Sequence, residues 1–472
     1  MVFSSSIFLF FFLPLFLLCY YLTPPRYRSL TILLGSYAFY AWWRVDFLAL
    51  FIAVTLWNYF IGKGIAAALS AHQAKAKRLL VIGITGDLAT LGYFKYANFG
   101  VANFEQLLIS MGSEPLSLAH VILPIGISFY IFQAISYLVD VYRQDTPPSR
   151  RFIDFAAFIA LFPQLIAGPV LRYKDLASQF VERVHSWPLF CSGCLLFMQG
   201  FAKKVLIADT VAPIADAAFT GHSVTMLDHW LGVTAYSIQL YFDFSGYSDM
   251  AIGLGLMMGF HFIQNFNQPY ISQSITEFWR RWHISLSTWL RDYLYIALGG
   301  NRLGTWKTYR NLFLTMLLGG LWHGANWTFI VWGAWHGLIL AFERFTGLSN
   351  YTGFSLLRWL VTLHLVTLGW VFFRADNVTD AFLIIIAMFN FDSQGLSPAF
   401  SVEVARWALV MLIIGIVIVL VQGLRQHSAT LEKTLSHGAV TMIGQVLRFP
   451  IFLLALSSLL ASSYSPFLYF QF

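Results

Sequence analysis

Apolar residues run through this chain in long, nearly uninterrupted blocks, and polar residues fall between them. A block of about 20 apolar residues spans the ~30 Å of bilayer hydrocarbon as an α-helix. The blocks do not alternate with the two-residue rhythm of a transmembrane strand. Backbone in lipid must also meet its own hydrogen bonds, which favours helices. The pattern predicts an all-α, polytopic integral membrane protein of about eleven transmembrane helices. Candidate blocks lie near 4–22, 29–43, 46–62, 79–94, 119–141, 152–170, 189–208, 231–258, 310–330, 331–345, 357–373, 404–422 and 448–464. They outnumber the expected spans, so some are short, re-entrant or interfacial. Segment 99–111 is mildly amphipathic and fits the membrane interface. The connections between blocks are short and no repeat recurs, which predicts one membrane domain over 1–472.

Composition agrees with this reading. The chain is 58% hydrophobic and 11% charged, against ~25% charged in soluble domains. Its net charge of +7 comes from basic residues in the short segments 63–78, 143–151, 172–183 and 302–310. These read as cytoplasmic loops, and no soluble basic face for nucleic acid is present. No Lys or Arg precedes the first apolar run, and no small-residue cleavage site follows it, so it reads as a retained span. Arg26 and Arg28 come after that run, which places the N-terminus outside the cytoplasm. Cys191 and Cys194 have C-x-x-C spacing but open an apolar run and read as small helix residues. No second ligand pair makes a zinc site.

Against this apolar background, ionisable side chains are functional candidates. His323 lies among Gly319, Gly320, Trp322 and Gly324, and His336 among Trp332, Gly333, Trp335 and Gly337. Imidazole serves as a general base near neutral pH. On a helix, Asn326 would share a face with His323. The flanking glycines permit close approach of a helix or a long ligand. The alternative is a histidine that only bonds a neighbouring helix. His336 has no carboxylate beside it and no H-E-x-x-H pattern, so a metal site is not expected. Both histidines fit one substrate tunnel.

Segment 276–298 carries Glu277, Arg280, Arg281, His283, Arg291 and Asp292 among aromatics, which excludes a lipid-facing helix. It is either interfacial or buried along a wet cavity. Helical spacing would put Trp279, His283 and Ser287 on one face and pair Glu277 with Arg281. The arginines suit a phosphorylated donor arriving from the cytoplasm, or they simply anchor the segment at the headgroups. Asp243 and Asp249 sit in an apolar run. Each therefore needs a partner, for which the basic residues of 280–291 are candidates, and both read as structural. Pro124 and Gly126 would kink or thin a helix, and Pro163 with Gly168 and Pro169 reads as a broken span.

These blocks together resemble the membrane-bound O-acyltransferases, and within them the bacterial branch that supplies acetyl groups for alginate O-acetylation. The resemblance runs nearly end to end, through 40–46, 123–128, 241–249, 277–293, 318–336 and 463–472. It implies that His323 is the catalytic histidine and His283 a second functional one. Trp322, Asn326, Arg280, Arg281 and His336 would line the substrates' path. It further implies a tunnel through a helical domain in the bacterial inner membrane. Acetyl-CoA would be the donor substrate, with no resident cofactor. A periplasmic acetyltransferase would take the acetyl group on to the polymer. Bilayer lipid is the other expected partner, and the tail 464–472 a docking element. Close relatives act on cellulose and other glycans, so the polymer stays open. A transporter of an acetyl carrier is the rival reading, though the inverted repeats common in transporters are missing. A scaffold of a secretion complex is the third.

Overall fold

The computed structural model describes residues 2–461 apart from 113, 115–119, 167, 222–223, 349–352, 392–394 and 428–437. The tail 464–472 lies outside the described residues. Every regular element described is helical. Among the described residues, five helical runs are long and apolar enough to cross a membrane: Asp46–Leu69, Trp187–Phe219, Leu356–Arg374, Arg406–Arg425 and Gly444–Ala461. Phe8–Leu22 and Val378–Met388 are shorter apolar helices. Only 6% of the Gly444–Ala461 window is buried. Most of its apolar side chains therefore face outward, while Ala455 is buried and Phe452 packs on Phe201 at 5.2 Å.

The chain forms two compact units, one of Phe3–Phe190 with Gly255–Phe262, the other of Cys191–Leu254 with Ile263–Phe472. In the first unit, the 38-residue helix Gln73–Ser110 runs through what the sequence divides into a span and an interfacial segment. No glycine or proline turn interrupts it, so backbone hydrogen bonding continues. The proline-bearing runs are broken as predicted. The helix Phe152–Ala160 stops before the single turn Phe162–Leu165, and Ile127–Arg143 starts after a left-handed Gly126. A Cβ on Gly126 would lie 2.6 Å from the Leu165 carbonyl oxygen, so both φ and space demand glycine.

In the second unit, Met226–Met257 is one unbroken helix across Gly246. Gly246 is instead a contact point. A Cβ there would stand 2.6 Å from the Gly200 carbonyl oxygen, and one on Gly253 would meet that of Gly193 at the same distance. Small residues let two helix backbones approach, where packing rather than hydrophobicity drives association. This explains the Cys191–Cys194 run as helix surface beside Gly193; its thiols are free.

The buried aspartates find other partners than the sequence suggests. Lys204 Nζ lies 2.7 Å from Asp243 and 2.5 Å from Asp209. Lys203 Nζ lies 2.7 Å from Asp249. A π-helical turn over Lys203–Ala208 carries both lysines. Both lysines belong to the helical run that crosses at Gly246, which brings them to the carboxylates.

The closest helix pair is the hairpin of Thr305–His323 and Trp327–Thr346. A Cβ on Gly320 would be 2.2 Å from the Phe329 carbonyl oxygen, and one on Gly333 2.6 Å from that of Met316. The turn falls at 324–326 rather than at 330–331, which puts His323 at a helix end instead of mid-span.

Two outcomes follow. Gly320→Val should lower the thermal midpoint of detergent-purified protein, with an overpacking cost of ~1–3 kcal/mol. Asp243→Asn takes one of two carboxylates from the buried Lys204 ammonium, leaving Asp209, and should cost ~1.5–3 kcal/mol, read in the same assay, whereas the exposed Asp380→Asn should leave the midpoint unchanged.

Candidate active site

The segment 275–295 is three helical pieces rather than one helix. Ile275–Arg281 is capped by Ser274, whose hydroxyl accepts the Glu277 amide at 3.0 Å. Buried Glu343 accepts the amides of Ile275 at 2.5 Å and Thr276 at 2.9 Å. A carboxylate at a helix N-terminus meets amides that the helix itself leaves unpaired. Glu277 pairs with Arg281 at 2.8 Å, as the spacing predicts. The helix then breaks. His283 takes a left-handed backbone (φ 43°) before Ile284–Trp289 begins.

Asn265, in the irregular run between Met226–Met257 and Ile275–Arg281, holds this break. Its backbone carbonyl accepts the Ile284 amide at 2.9 Å. Its side-chain oxygen accepts the Ser285 amide at 3.2 Å and the Ser285 hydroxyl at 2.8 Å, and lies 3.2 Å from His283 Nδ1. An amide N–H can only donate, so the oxygen of Asn265 faces this group. His283 Nδ1 must then carry the proton, and Nε2 holds the lone pair. His283 is fully buried and Nε2 has no hydrogen-bond partner among the described residues. Protonating it there would bury an uncompensated charge, so the ring is neutral.

His323 ends the helix Thr305–His323 and is 5% exposed. Gly324 is extended, and a Cβ there would overlap the Phe329 ring at 2.1 Å, so the space requires glycine. Asn326 is therefore not on the His323 helix. It caps the next one, accepting the Thr328 amide at 3.1 Å and donating to the Asp376 carbonyl at 2.8 Å.

Tryptophans tie the histidines together. The Trp322 ring lies 6.4 Å from His283 and 5.1 Å from His323, centroid to centroid. Trp332 lies 5.1 Å from His323 and 5.0 Å from His336. Trp279 donates its indole N–H to His336 Nδ1 at 3.4 Å. His336 thus keeps its own proton on Nε2, which abuts Gly369.

On its far side Trp279 lines a cavity of about 500 Å³, with Arg280, Ser287, Arg291, Thr315 and Arg344. Arg291 pairs with Asp292. Arg280 and Arg344 form no ion pair among the described residues. Arg281 is spent on Glu277 and the Asn267 carbonyl instead. The structure thus gathers His283, His323, His336 and Trp322 into one aromatic cluster, sets Arg280 at the cavity beside it, and puts Asn326 and Arg281 to structural use.

The profile of the membrane-bound O-acyltransferase family matches residues 147–373, which contain all these side chains. A probable alginate O-acetylase of Pseudomonas putida is 57% identical over the full length of both chains.

The chain belongs to the membrane-bound O-acyltransferase family.

A probable alginate O-acetylase of Azotobacter vinelandii is 55% identical, again over both whole chains. A peptidoglycan O-acetyltransferase of Helicobacter pylori is 39% identical over 84% of this chain and 81% of its own. This protein is thus a multi-pass membrane acyltransferase.

Sequence reading passed over Asn265, Glu343 and Arg344. Asn265 and Glu343 act on backbone far away in sequence, which no local spacing reveals. The available signal for Asn265 was its place in a polar, proline-ended run, Gln264 to Pro269, between apolar blocks.

Asn265→Leu should free His283 from its fixed tautomer, whereas Asn265→Asp keeps the acceptor. Nitrogen NMR of histidine-labelled protein should show the Nδ1-protonated form of His283 in wild type and in Asn265→Asp, and a mixture in Asn265→Leu.

Proposed function

We propose that this enzyme moves acetyl groups across the bacterial inner membrane for O-acetylation of an exopolysaccharide, alginate first among the candidates. The observation that carries this reading is the buried His323, joined through Trp332, His336 and Trp279 to an arginine-rimmed cavity. The names of the two full-length relatives support the polymer.

Acetyl-CoA, a thioester with phosphate groups, fits the cavity chemically. Guanidinium groups bind phosphate through paired hydrogen bonds, and Arg280 and Arg344 have that capacity unspent. The cavity is the cytoplasmic mouth of a tunnel in this reading, and about eleven spans surround it. His323 takes the proton of the acceptor hydroxyl. The hydroxyl oxygen bonds to the acetyl carbonyl carbon, the C–S bond breaks, and the departing thiolate receives that proton. His283, able only to accept at Nε2, orients a donating group of the bound substrates. The packed aromatic rings exclude water, which strengthens these polar contacts and limits hydrolysis. A periplasmic acetyltransferase receives the acetyl group and passes it to the polymer.

Polymer acetylation in cells tests the assignment. His323→Ala at normal membrane abundance should lower it by ~10²–10⁴-fold, the usual contribution of a general base. Acetylation at the wild-type level would overturn the assignment. Arg280→Ala should raise the KM for the thioester roughly tenfold with kcat little changed, given the strength of a charged hydrogen bond.

A further inference from the structure

A second basic cluster lies wholly within the first unit. Arg28 Nη1 stands 3.1 Å from Nδ1 of His185, and its guanidinium lies over the rings of Tyr20 at 5.3 Å and Tyr21 at 6.0 Å. Arg183 lies over the rings of Phe260 at 4.7 Å and Phe180 at 5.6 Å. Its Nη1 is buried with no hydrogen-bond partner among the described residues.

Arg28 Nη1 also lies 3.2 Å from Nε2 of His185, and one set of hydrogen-bond directions satisfies Tyr20, His185 and Arg28 together. Tyr20 donates its hydroxyl proton to the Met258 carbonyl at 2.8 Å. Its oxygen can then only accept from His185 Nε2–H, 2.9 Å away. His185 Nδ1 is left to accept from Arg28. Burial, then the charges of Arg28 and Arg183, hold the His185 pKa below its ordinary value. Burial, with a smaller contribution from the charge of Arg28, lowers the Arg183 pKa. Neither forms an ion pair among the described residues. Asp154, the acid that Arg183 feels, sits 3.8 Å from Arg151 instead. Gly259 allows the approach: its φ is +81°, and a Cβ would be 2.8 Å from the Val184 carbonyl oxygen.

Two guanidiniums held together without a carboxylate repel each other, and a bound anion removes that cost. The surroundings indicate what carries the anion. A groove of about 360 Å³ beside His185 is lined by Tyr21, Ser186, Trp187 and Phe190. Tyr21 nearly ends the apolar run Phe8–Leu22, and Trp187 opens Trp187–Phe219. Trp187 is 75% exposed and stacks on Phe190. Tyrosine and tryptophan at span ends sit at headgroup level in a bilayer.

We propose that Arg28 and Arg183, the former braced by His185, bind the phosphate of an anionic phospholipid, whose acyl chains lie along Tyr21, Trp187 and Phe190. Native mass spectrometry of the full chain in detergent tests this, with phosphatidylglycerol and phosphatidylcholine as probes. Wild type should retain phosphatidylglycerol more tightly than phosphatidylcholine. Arg28→Gln with Arg183→Gln should weaken phosphatidylglycerol at least about tenfold, the scale of one lost charged hydrogen bond, and weaken phosphatidylcholine less, so that the preference for phosphatidylglycerol is lost. If that double variant fails to fold, Trp187→Ala should weaken both lipids while keeping their order. Equal retention of both lipids by wild type overturns the site. Displacement of phosphatidylglycerol by excess inorganic phosphate overturns the lipid and leaves a soluble phosphate as the ligand.

Discussion

A polar group inside an apolar chain is stable only where another group meets its hydrogen bonds. Much of the second unit is arranged by that requirement. Lys204 and Asp243, 2% and 1% exposed, stay charged because they meet at a helix crossing that Gly200 and Gly246 allow. Glu343 stays buried because the amides of Ile275 and Thr276 need an acceptor. Asn265 meets the hydrogen bonds of a chain break. Each of these contacts joins elements far apart in sequence, so the polar groups set which helices lie together.

The same requirement produces the cluster. Breaking the helix at His283 frees backbone groups, and Asn265 takes up two of them, the amides of Ile284 and Ser285. That use of its oxygen fixes the proton on His283 Nδ1 and leaves Nε2 unprotonated. At His323, the close packing of the hairpin ends the helix at Gly324 and brings Trp332 against the histidine. Backbone geometry and imidazole chemistry are set together in both places.

Much of this was legible along the chain. Block length and apolarity suffice for helices in a membrane, because lipid leaves the backbone no other partner. A histidine costs too much in such blocks to be incidental, which singled out His283, His323 and His336. Glu277 and Arg281 pair as their four-residue spacing requires, since one helical turn brings them together whatever surrounds them. Pro124, Gly126 and Pro163 marked real breaks.

What failed were inferences that extended a local period too far. Trp279, His283 and Ser287 share a helical face only if the helix continues, and Asn265 stops it. Asn326 would accompany His323 only if Gly324 stayed helical, and Gly324 is extended. The partners of Asp243 and Asp249 were misassigned because nearness along the chain says nothing about which helix crosses at Gly246. Arg28 and Arg183 are separated by more than half of the first unit's sequence, so their meeting at His185 was invisible beforehand. Sequence by itself determined the solvent, the helices and the residues too costly to be idle, because those follow from local composition. Tertiary structure alone decided which polar group meets which, because a buried hydrogen bond is met by whatever the fold places within about 3 Å.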